Sequence, residues 1–124
     1  MRRRRAILKL VLNNLEQLDR VFQALADPSR RSIIDRLSRG PASVSELAAP
    51  LTMSLPAVMQ HLAVLEASGL VRTEKVGRVR SCTLESDVLS TAEQWIHDRR
   101  TLWVKRLDRL DAFLDTASDQ QEQK

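Results

Sequence analysis

Apolar residues repeat at helical spacing along most of the chain, which predicts a mainly α-helical fold. Residues 8–25 carry them at alternating steps of three and four, and residues 87–117 repeat them along one helical face, so each segment forms a helix with one apolar face. Between these two segments, Asp27 and Pro28 start a shorter helix that ends before Gly40.

Two further short helices follow in close succession, each with its own start signal. Residues 43–46, Ser-Val-Ser-Glu, form a capping box, and the helix that they open ends at Pro50. The next helix begins at Ser54, carries Pro56 in its first turn and ends at Gly69. Two capped helices separated by so short a turn indicate a helix-turn-helix motif.

The second helix of this motif, residues 54–67, divides into two faces. The predicted buried face consists of Leu55, Val58, Leu62 and Leu65, and the opposite face consists of Pro56, Gln60, Ala63 and Ala67. Small uncharged residues suit a helix that enters a major groove about 12 Å wide. Gln60 is the candidate for reading bases, because an amide bonds bidentately to adenine.

After Gly69, two β-rich stretches flank Gly77-Arg78 and predict a β-hairpin, the wing of a winged helix-turn-helix. The charged residues of this hairpin are Arg72, Lys75, Arg78 and Arg80, with Glu74 as the acidic one. Its tip is therefore basic and suited to phosphate or minor-groove contact. The alternative is a solvated edge hairpin whose charges prevent aggregation.

These motifs together resemble the ArsR/SmtB family of bacterial winged-helix repressors over residues 19–84, and residues 87–115 resemble the C-terminal helix of one branch of it. The matching stretches are residues 22–31, 54–71, 77–80, 95–96 and 103–110. The resemblance implies a homodimer that binds a partly palindromic operator on double-stranded DNA and releases it when a signal arrives. It also implies about five helices and a two-stranded wing, with dimerisation through the terminal helices.

The residues expected to contact DNA lie in the two capped helices and the wing. They are Ser43, Ser54, Pro56, Ala57, Met59, Gln60, His61, Lys75, Arg78 and Arg80. Relatives usually carry a small polar residue in place of Met59 and a basic residue in place of Ala63, so we expect a different operator. Two alternatives stay open: Met59 contacts a thymine methyl or packs at the domain rim, and His61 contacts DNA or braces the preceding helix.

The terminal helices carry more apolar surface than so small a domain covers, which predicts a homodimer. The expected interface residues are Leu8, Val11, Leu15, Leu18, Phe22, Trp95, Ile96, Trp103, Leu107, Leu110 and Leu114. Alternatively, the two tryptophans line an effector pocket. The predicted domains are an N-terminal dimerisation helix (residues 1–18), a DNA-binding domain (19–86), a C-terminal dimerisation helix (87–117) and a disordered tail (118–124).

Composition agrees with a DNA-binding protein. The 124 residues include 20 basic and 16 acidic ones and give a pI near 10.0, which favours an anionic partner. One cysteine and no long apolar stretch predict a cytoplasmic protein without a membrane span. The arginines of residues 2–5 resemble an export signal, but Lys9 interrupts the apolar region that follows. We interpret them as a solvated helix start, with a phosphate-contacting arm as the alternative.

No residues predict catalysis, a cofactor or a metal site. The chain lacks a paired nucleophile and base and a glycine-rich phosphate loop. Thiolate sensors of the resembled family bear a cysteine pair in the first helix of the motif, where this chain has residues 46–49, Glu-Leu-Ala-Ala. His97 with nearby aspartates is an incomplete metal set. In an alternative interpretation, the flanking Arg80 lowers the pKa of the Cys82 thiol and Cys82 senses oxidants, but no second cysteine is present to resolve the oxidised thiol.

We therefore expect a sequence-specific transcriptional regulator, a homodimeric repressor that binds an inverted-repeat operator through residues 54–67 and the wing. The alternative is a protein-interaction module whose winged helix binds another protein, which the loss of a basic residue at Ala63 keeps open. The operator, the regulated genes and any effector cannot be read from the chain.

Overall fold

The computed structural model describes residues 2–122, and these residues form five helices and three short strands. In chain order the elements are α1 (Arg2–Leu25), α2 (Pro28–Leu37), β1 (Ala42–Ser43), α3 (Val44–Ala48), α4 (Leu55–Ala67), β2 (Val71–Val76), β3 (Val79–Leu84) and α5 (Ser86–Glu122). The prediction of a mainly helical chain with a β-hairpin wing is confirmed.

Capping sets the start of α2. The Asp27 carboxylate accepts hydrogen bonds from the backbone N–H groups of Ser29 at 2.8 Å and Arg30 at 3.1 Å. These bonds satisfy amides that have no partner within the helix, and Pro28 in the first turn gives up no such bond. The sequence therefore predicted this start correctly.

The wing contains one strand more than predicted. Strands β2 and β3 pair antiparallel from Val71 opposite Leu84 to Val76 opposite Val79, and a two-residue turn at Gly77 joins them. The φ of Gly77 is +64°, a left-handed conformation that favours glycine. Strand β1 pairs with β3, which gives the order β1-β3-β2. The sequence missed β1 because two residues are too few to show an alternating pattern.

The hydrophobic core lies in the first of two compact units, which ends at Ala92. Helices α1 to α4 and the sheet all contribute to it, with Val21, Ile33, Leu37, Leu47, Val58, Leu62, Leu65, Leu70 and Cys82 among the buried residues. Three of the four residues predicted to anchor α4 are therefore buried. The prediction for Leu55 was wrong, because this residue is 56% exposed at the helix terminus, where the core no longer covers that face.

The terminal helices differ from the predicted boundaries. Helix α1 continues through the boundary at residue 18 to Leu25, and its first turn contains the exposed arginines of residues 2–5. Helix α5 continues to Glu122, so residues 118–122 are helical where we expected a disordered tail. The remaining tail residues, 123 and 124, lie outside the described residues. Of the helices in residues 2–122, none is both long and apolar enough to cross a membrane.

Candidate nucleic-acid interface

Two serine side chains position the helices of the helix-turn-helix motif. The hydroxyl of Ser43 accepts from the backbone N–H of Glu46 at 3.1 Å, and that of Ser54 accepts from Ala57 N–H at 3.3 Å. The Glu46 carboxylate also pairs with Arg36 at 3.2 Å, which ties α3 to α2. Both serines, predicted as caps and as DNA contacts, are N-caps in the structure.

The solvent-exposed face of α4 carries the predicted groove-facing residues. Pro56, Gln60, Ala63 and Ala67 are exposed, as the spacing predicted. Ala57 and Met59 are half-buried, and Met59 packs against the core. This packing agrees with the interpretation of Met59 as a rim residue. The exposed face is therefore small and mostly apolar, with the Gln60 amide as a polar group within it.

A clamp formed by Arg30 connects three helices beside the exposed face of α4. Its Nε donates to the carbonyl of Ala24 at 2.7 Å, and its Nη2 donates to that of Gln23 at 3.0 Å, at the C-terminal end of α1. Its Nη1 lies 3.3 Å from Nδ1 of His61 in α4. A guanidinium can only donate, so His61 Nδ1 is the acceptor in this contact. The half-buried His61 therefore contacts α2 and not the preceding helix α3, and its contact with DNA stays a prediction.

Three of the four basic residues of the wing, Lys75, Arg78 and Arg80, share the face that adjoins α4. The hydroxyl of Thr73 donates to the Glu66 carboxylate of α4, and Lys75 lies two residues further along the same strand face. Lys75 stands directly opposite Arg80, and both line a shallow depression with Arg78. Like charges at facing positions of a β-ladder destabilise it, so an anion bound between them would be stabilising.

Arg72 behaves differently from the other wing cations. Its Nε lies 3.3 Å from the Glu85 carboxylate and 3.9 Å from that of Glu74. Alternation along β2 also places Arg72 on the opposite strand face from Lys75. The two carboxylates therefore partly neutralise the charge of Arg72. The cationic surface beside α4 consists of Lys75, Arg78 and Arg80.

Known proteins are similar to this chain in sequence and in structure. A family model described as a helix-turn-helix domain matches residues 25–74. The HTH-type transcriptional regulator Rv2034 of Mycobacterium tuberculosis is 39% identical over 101 residues, which cover 82% of this chain and 92% of that protein. The crystal structure of an ArsR family transcriptional regulator is 53% identical, with a TM-score of 0.67 over 70% of this chain and 96% of that one. The chain belongs to the ArsR family of transcriptional regulators.

One further solved structure bears on this ArsR-family chain. The solution structure of a homodimeric winged helix-turn-helix DNA-binding domain from Mycobacterium bovis is 30% identical. The similarity covers 75% of this chain and 87% of that one, with a TM-score of 0.59. Family membership confirms the predicted class of transcriptional regulator and supports neither an enzyme nor the alternative of a protein-interaction module.

The cysteine of this ArsR-family chain is poorly suited to sensing. Cys82 is fully buried on β3. Burial raises the pKa of its thiol, the nearby Glu66 raises it further, and Arg80 lowers it by less. The thiolate, which is the reactive form, is therefore disfavoured. The lowered pKa on which the sensor interpretation depended was wrong.

The predicted dimer residues fall into two groups. Leu18 and Phe22 are half-buried against the core of the winged unit. The other predicted residues are between 40% and 60% exposed; they are Leu8, Val11, Leu15, Trp95, Ile96, Trp103, Leu107, Leu110 and Leu114. The Arg99 guanidinium stacks over the Trp95 ring, 4.7 Å from its centroid. Both α1 and the described part of α5 after residue 92 thus present apolar faces that are exposed in a single chain.

Two residues of the interface were missed or misplaced from sequence. The Arg30 clamp joins residues that are up to 31 positions apart, and nothing in the local pattern marks such a contact. Leu55 carried a signal that was available, because a residue in the first helical position is often left uncovered by the core. Arg30 connects α2 to α1 and α4, and Leu55 is exposed at the start of α4.

Proposed function

We propose that this regulator binds double-stranded DNA as a homodimer, with α4 in the major groove and the wing on the phosphate backbone. The single observation that carries the proposal is the pairing of an exposed, uncharged α4 face with an adjoining cationic wing face. An uncharged helix of small residues fits the groove, and the cations attract the phosphates. The expected DNA contacts are those predicted from sequence, and among them Ser54, Pro56, Gln60, Lys75, Arg78 and Arg80 are exposed.

Dimerisation is supported by the exposed apolar faces of α1 and α5. Large exposed apolar patches mark interaction sites, and an isologous contact between two copies covers the same face on both. The homodimeric state of the Mycobacterium bovis domain supports a second copy as the partner. Leu8, Val11 and Leu15 of α1, and Trp103, Leu107 and Leu110 of α5, are the residues we expect it to cover.

Two-fold symmetry then sets the form of the operator. The two α4 helices of a dimer enter successive major grooves whose centres are about 34–36 Å apart, which corresponds to half-sites about 10 base pairs apart. The operator is therefore an inverted repeat. The Bacillus subtilis relative SdpR, 28% identical over 64% of this chain and 88% of its own, is named a transcriptional repressor. We accordingly propose repression by occlusion of a promoter, in the cytoplasm where the DNA lies.

Release from DNA is proposed to be independent of a bound metal. Helix α3 carries glutamate, leucine and alanine where thiolate sensors carry cysteines, and among residues 2–122 no three metal-ligating side chains converge. Within α5, the Asp98 carboxylate next to His97 accepts from Gln94 at 2.8 Å. Stoichiometric zinc binding that is abolished by His97→Ala would contradict this part of the proposal.

The DNA-binding proposal is tested by selecting duplexes from a random library and measuring their affinity at several salt concentrations. If each subunit neutralises about four phosphates, log affinity falls with log salt at a slope of about −7. We expect the selected sequence to be an inverted repeat. A flat salt dependence, or no enriched sequence, would contradict the proposal.

A matched pair of variants separates base reading from backbone contact. Gln60→Ala is expected to cost about 1–3 kcal/mol on the selected duplex and to relax preference at one base pair. Arg78→Ala is expected to weaken binding to selected and random duplexes alike. Equal losses on both kinds of duplex for Gln60→Ala would remove Gln60 from base reading.

A further inference from the structure

Leu55 is a large apolar residue that the protein leaves in solvent at the start of α4. It occupies the first helical position, directly after the Ser54 cap, and is 56% exposed. Helical spacing would have placed it with the buried residues Val58 and Leu62, so its exposure is a property of the helix terminus. A leucine held outside the core by a capped helix start is available to contact a partner.

The exposed surface of α4 and the adjoining wing indicate the chemistry of that partner. The rest of the exposed part of α4 carries Pro56, Ala63, Val64 and Ala67, with Gln60 as the amide among them. The acidic residue at the far end of the helix, Glu66, accepts from the wing residue Thr73. The α4 surface is therefore apolar and nearly uncharged, and the cationic wing face lies beside it. The combination fits a polyanion that also displays apolar groups.

Double-stranded DNA has this chemistry at one place. In the major groove, the C5-methyl of thymine is the apolar group on the base edges, and apolar side chains recognise it by contact. The N-terminal residues of a recognition helix are the ones that reach base edges in helix-turn-helix proteins. Leu55 stands at this end of α4.

We propose that Leu55 is a specificity-determining residue that reads the C5-methyl of a thymine in each half-site. This inference rests on the proposed DNA-binding function and deepens it. Gln60 lies five residues further along α4 and about 140° around the helix axis, so its amide reads a separate base pair.

The test removes one methyl at a time from the DNA. In the selected duplex, each thymine is replaced by deoxyuridine, and affinity is measured for the wild-type protein and for Leu55→Ala. Burial of one methylene-sized group is worth about 0.8 kcal/mol, which corresponds to about fourfold in affinity for one half-site and about fifteenfold for both. At one thymine per half-site, we expect this loss with the wild-type protein and none with Leu55→Ala.

Two control variants test whether the dependence on the thymine methyl is specific to Leu55. Leu55→Met keeps an apolar side chain of similar volume and is expected to keep the sensitivity to deoxyuridine. Val79→Ala removes another exposed apolar side chain, from the wing face that lies away from the cationic depression, and is expected to keep the wild-type profile. Thermal unfolding of Leu55→Ala should match that of the wild-type protein, because its side chain is exposed.

Several results would overturn the inference. One is a deoxyuridine profile that stays the same in Leu55→Ala, and another is an equal loss of that variant's affinity for selected and random duplexes. Marked destabilisation of Leu55→Ala would assign the side chain to the fold instead. Failure of the wild-type protein to select any duplex is a different outcome, because it contradicts the DNA-binding proposal itself.

Discussion

The two halves of α1 carry apolar residues at the same spacing but lie in different surroundings. Val21 and Ala24 are fully buried in the core of the winged unit, whereas Leu8 and Leu15 are 59% and 51% exposed. The described part of α5 after residue 92 resembles the exposed half. The contrast shows that helical apolar spacing indicates which face of a helix is covered. The spacing does not say whether the same chain or another molecule covers that face. In our account the chain covers one half of α1 and a second copy covers the other.

The largest effect is expected from a charge on the exposed apolar face of α5. Leu110→Glu places an unpaired carboxylate in the proposed interface once per subunit, at a cost of about 3–5 kcal/mol each. We expect the variant to sediment as a monomer at concentrations where the wild-type protein sediments as a dimer. Its circular dichroism should still show a folded chain, because Leu110 lies outside the winged unit.

The matched control for this variant is Lys105→Glu. Lys105 precedes Leu110 by five residues, which places it about 140° around the helix from the apolar stripe. The same carboxylate there should leave the dimer intact. A dimer of unchanged affinity in Leu110→Glu would show that a second copy does not cover this face.

A smaller loss, of a different kind, is expected in the winged unit. Leu65→Ala leaves a cavity in the core and should lower the free energy of unfolding by about 2–5 kcal/mol. Urea titration in the Leu110→Glu background separates this loss from any change in assembly. The adjacent residue Val64 is 39% exposed, and Val64→Ala should change the free energy of unfolding by only about 0.5 kcal/mol. Equal losses at the two positions would contradict the assigned core.

The wing provides a third, weaker comparison, between two arginines on opposite faces. Arg78→Ala should reduce the salt slope of DNA binding by about two, because one phosphate contact is lost in each subunit of the dimer. Arg72→Ala should leave the slope nearly unchanged, since that side chain pairs with Glu85 at 3.3 Å. Affinity titrations of both variants across salt concentrations measure the difference. A larger change in slope for Arg72→Ala would reverse the assignment.

The smallest expected effect concerns the cap of α2. The backbone N–H of Arg30, and then that of Ser29, lower the pKa of the Asp27 carboxyl from its ordinary value of 3.8. A lowered folded-state pKa contributes stability above the ordinary pKa, and that stability is lost as pH falls through the folded-state value. Asp27→Asn keeps a capping group that does not titrate. The variant should therefore lose less stability than the wild-type protein as pH falls. Thermal unfolding of both proteins from about pH 6 to about pH 2 measures this loss of stability. An identical loss in both proteins would contradict the role of the cap.

Features that depend on a few neighbouring residues were predictable. The caps at Asp27, Ser43 and Ser54 and the wing turn at Gly77 each depend on local hydrogen bonds or a local φ, and each lies where the pattern placed it. The exposed face of α4 followed in the same way from helical spacing.

Features that depend on distant residues were not predictable. Strand β1 exists because Ala42 meets Cys82, 40 positions away, and the Arg30 clamp joins three helices. Leu55 is a different case: it was misplaced because periodicity takes no account of where the core ends, although its position directly after the Ser54 cap was a local signal. Polar composition at residues 118–122 gave no helix signal, although it does not prevent a long helix from continuing.

The central claim is that a symmetric dimer holds two α4 helices one helical turn of DNA apart. Hydroxyl-radical footprinting of the full chain on its selected duplex tests this most directly. We predict two protected regions, about 10 base pairs apart and related by two-fold symmetry, both lost in Leu110→Glu at concentrations that saturate the wild-type site. A single protected region, with no symmetry-related partner and unchanged in Leu110→Glu, would contradict the account.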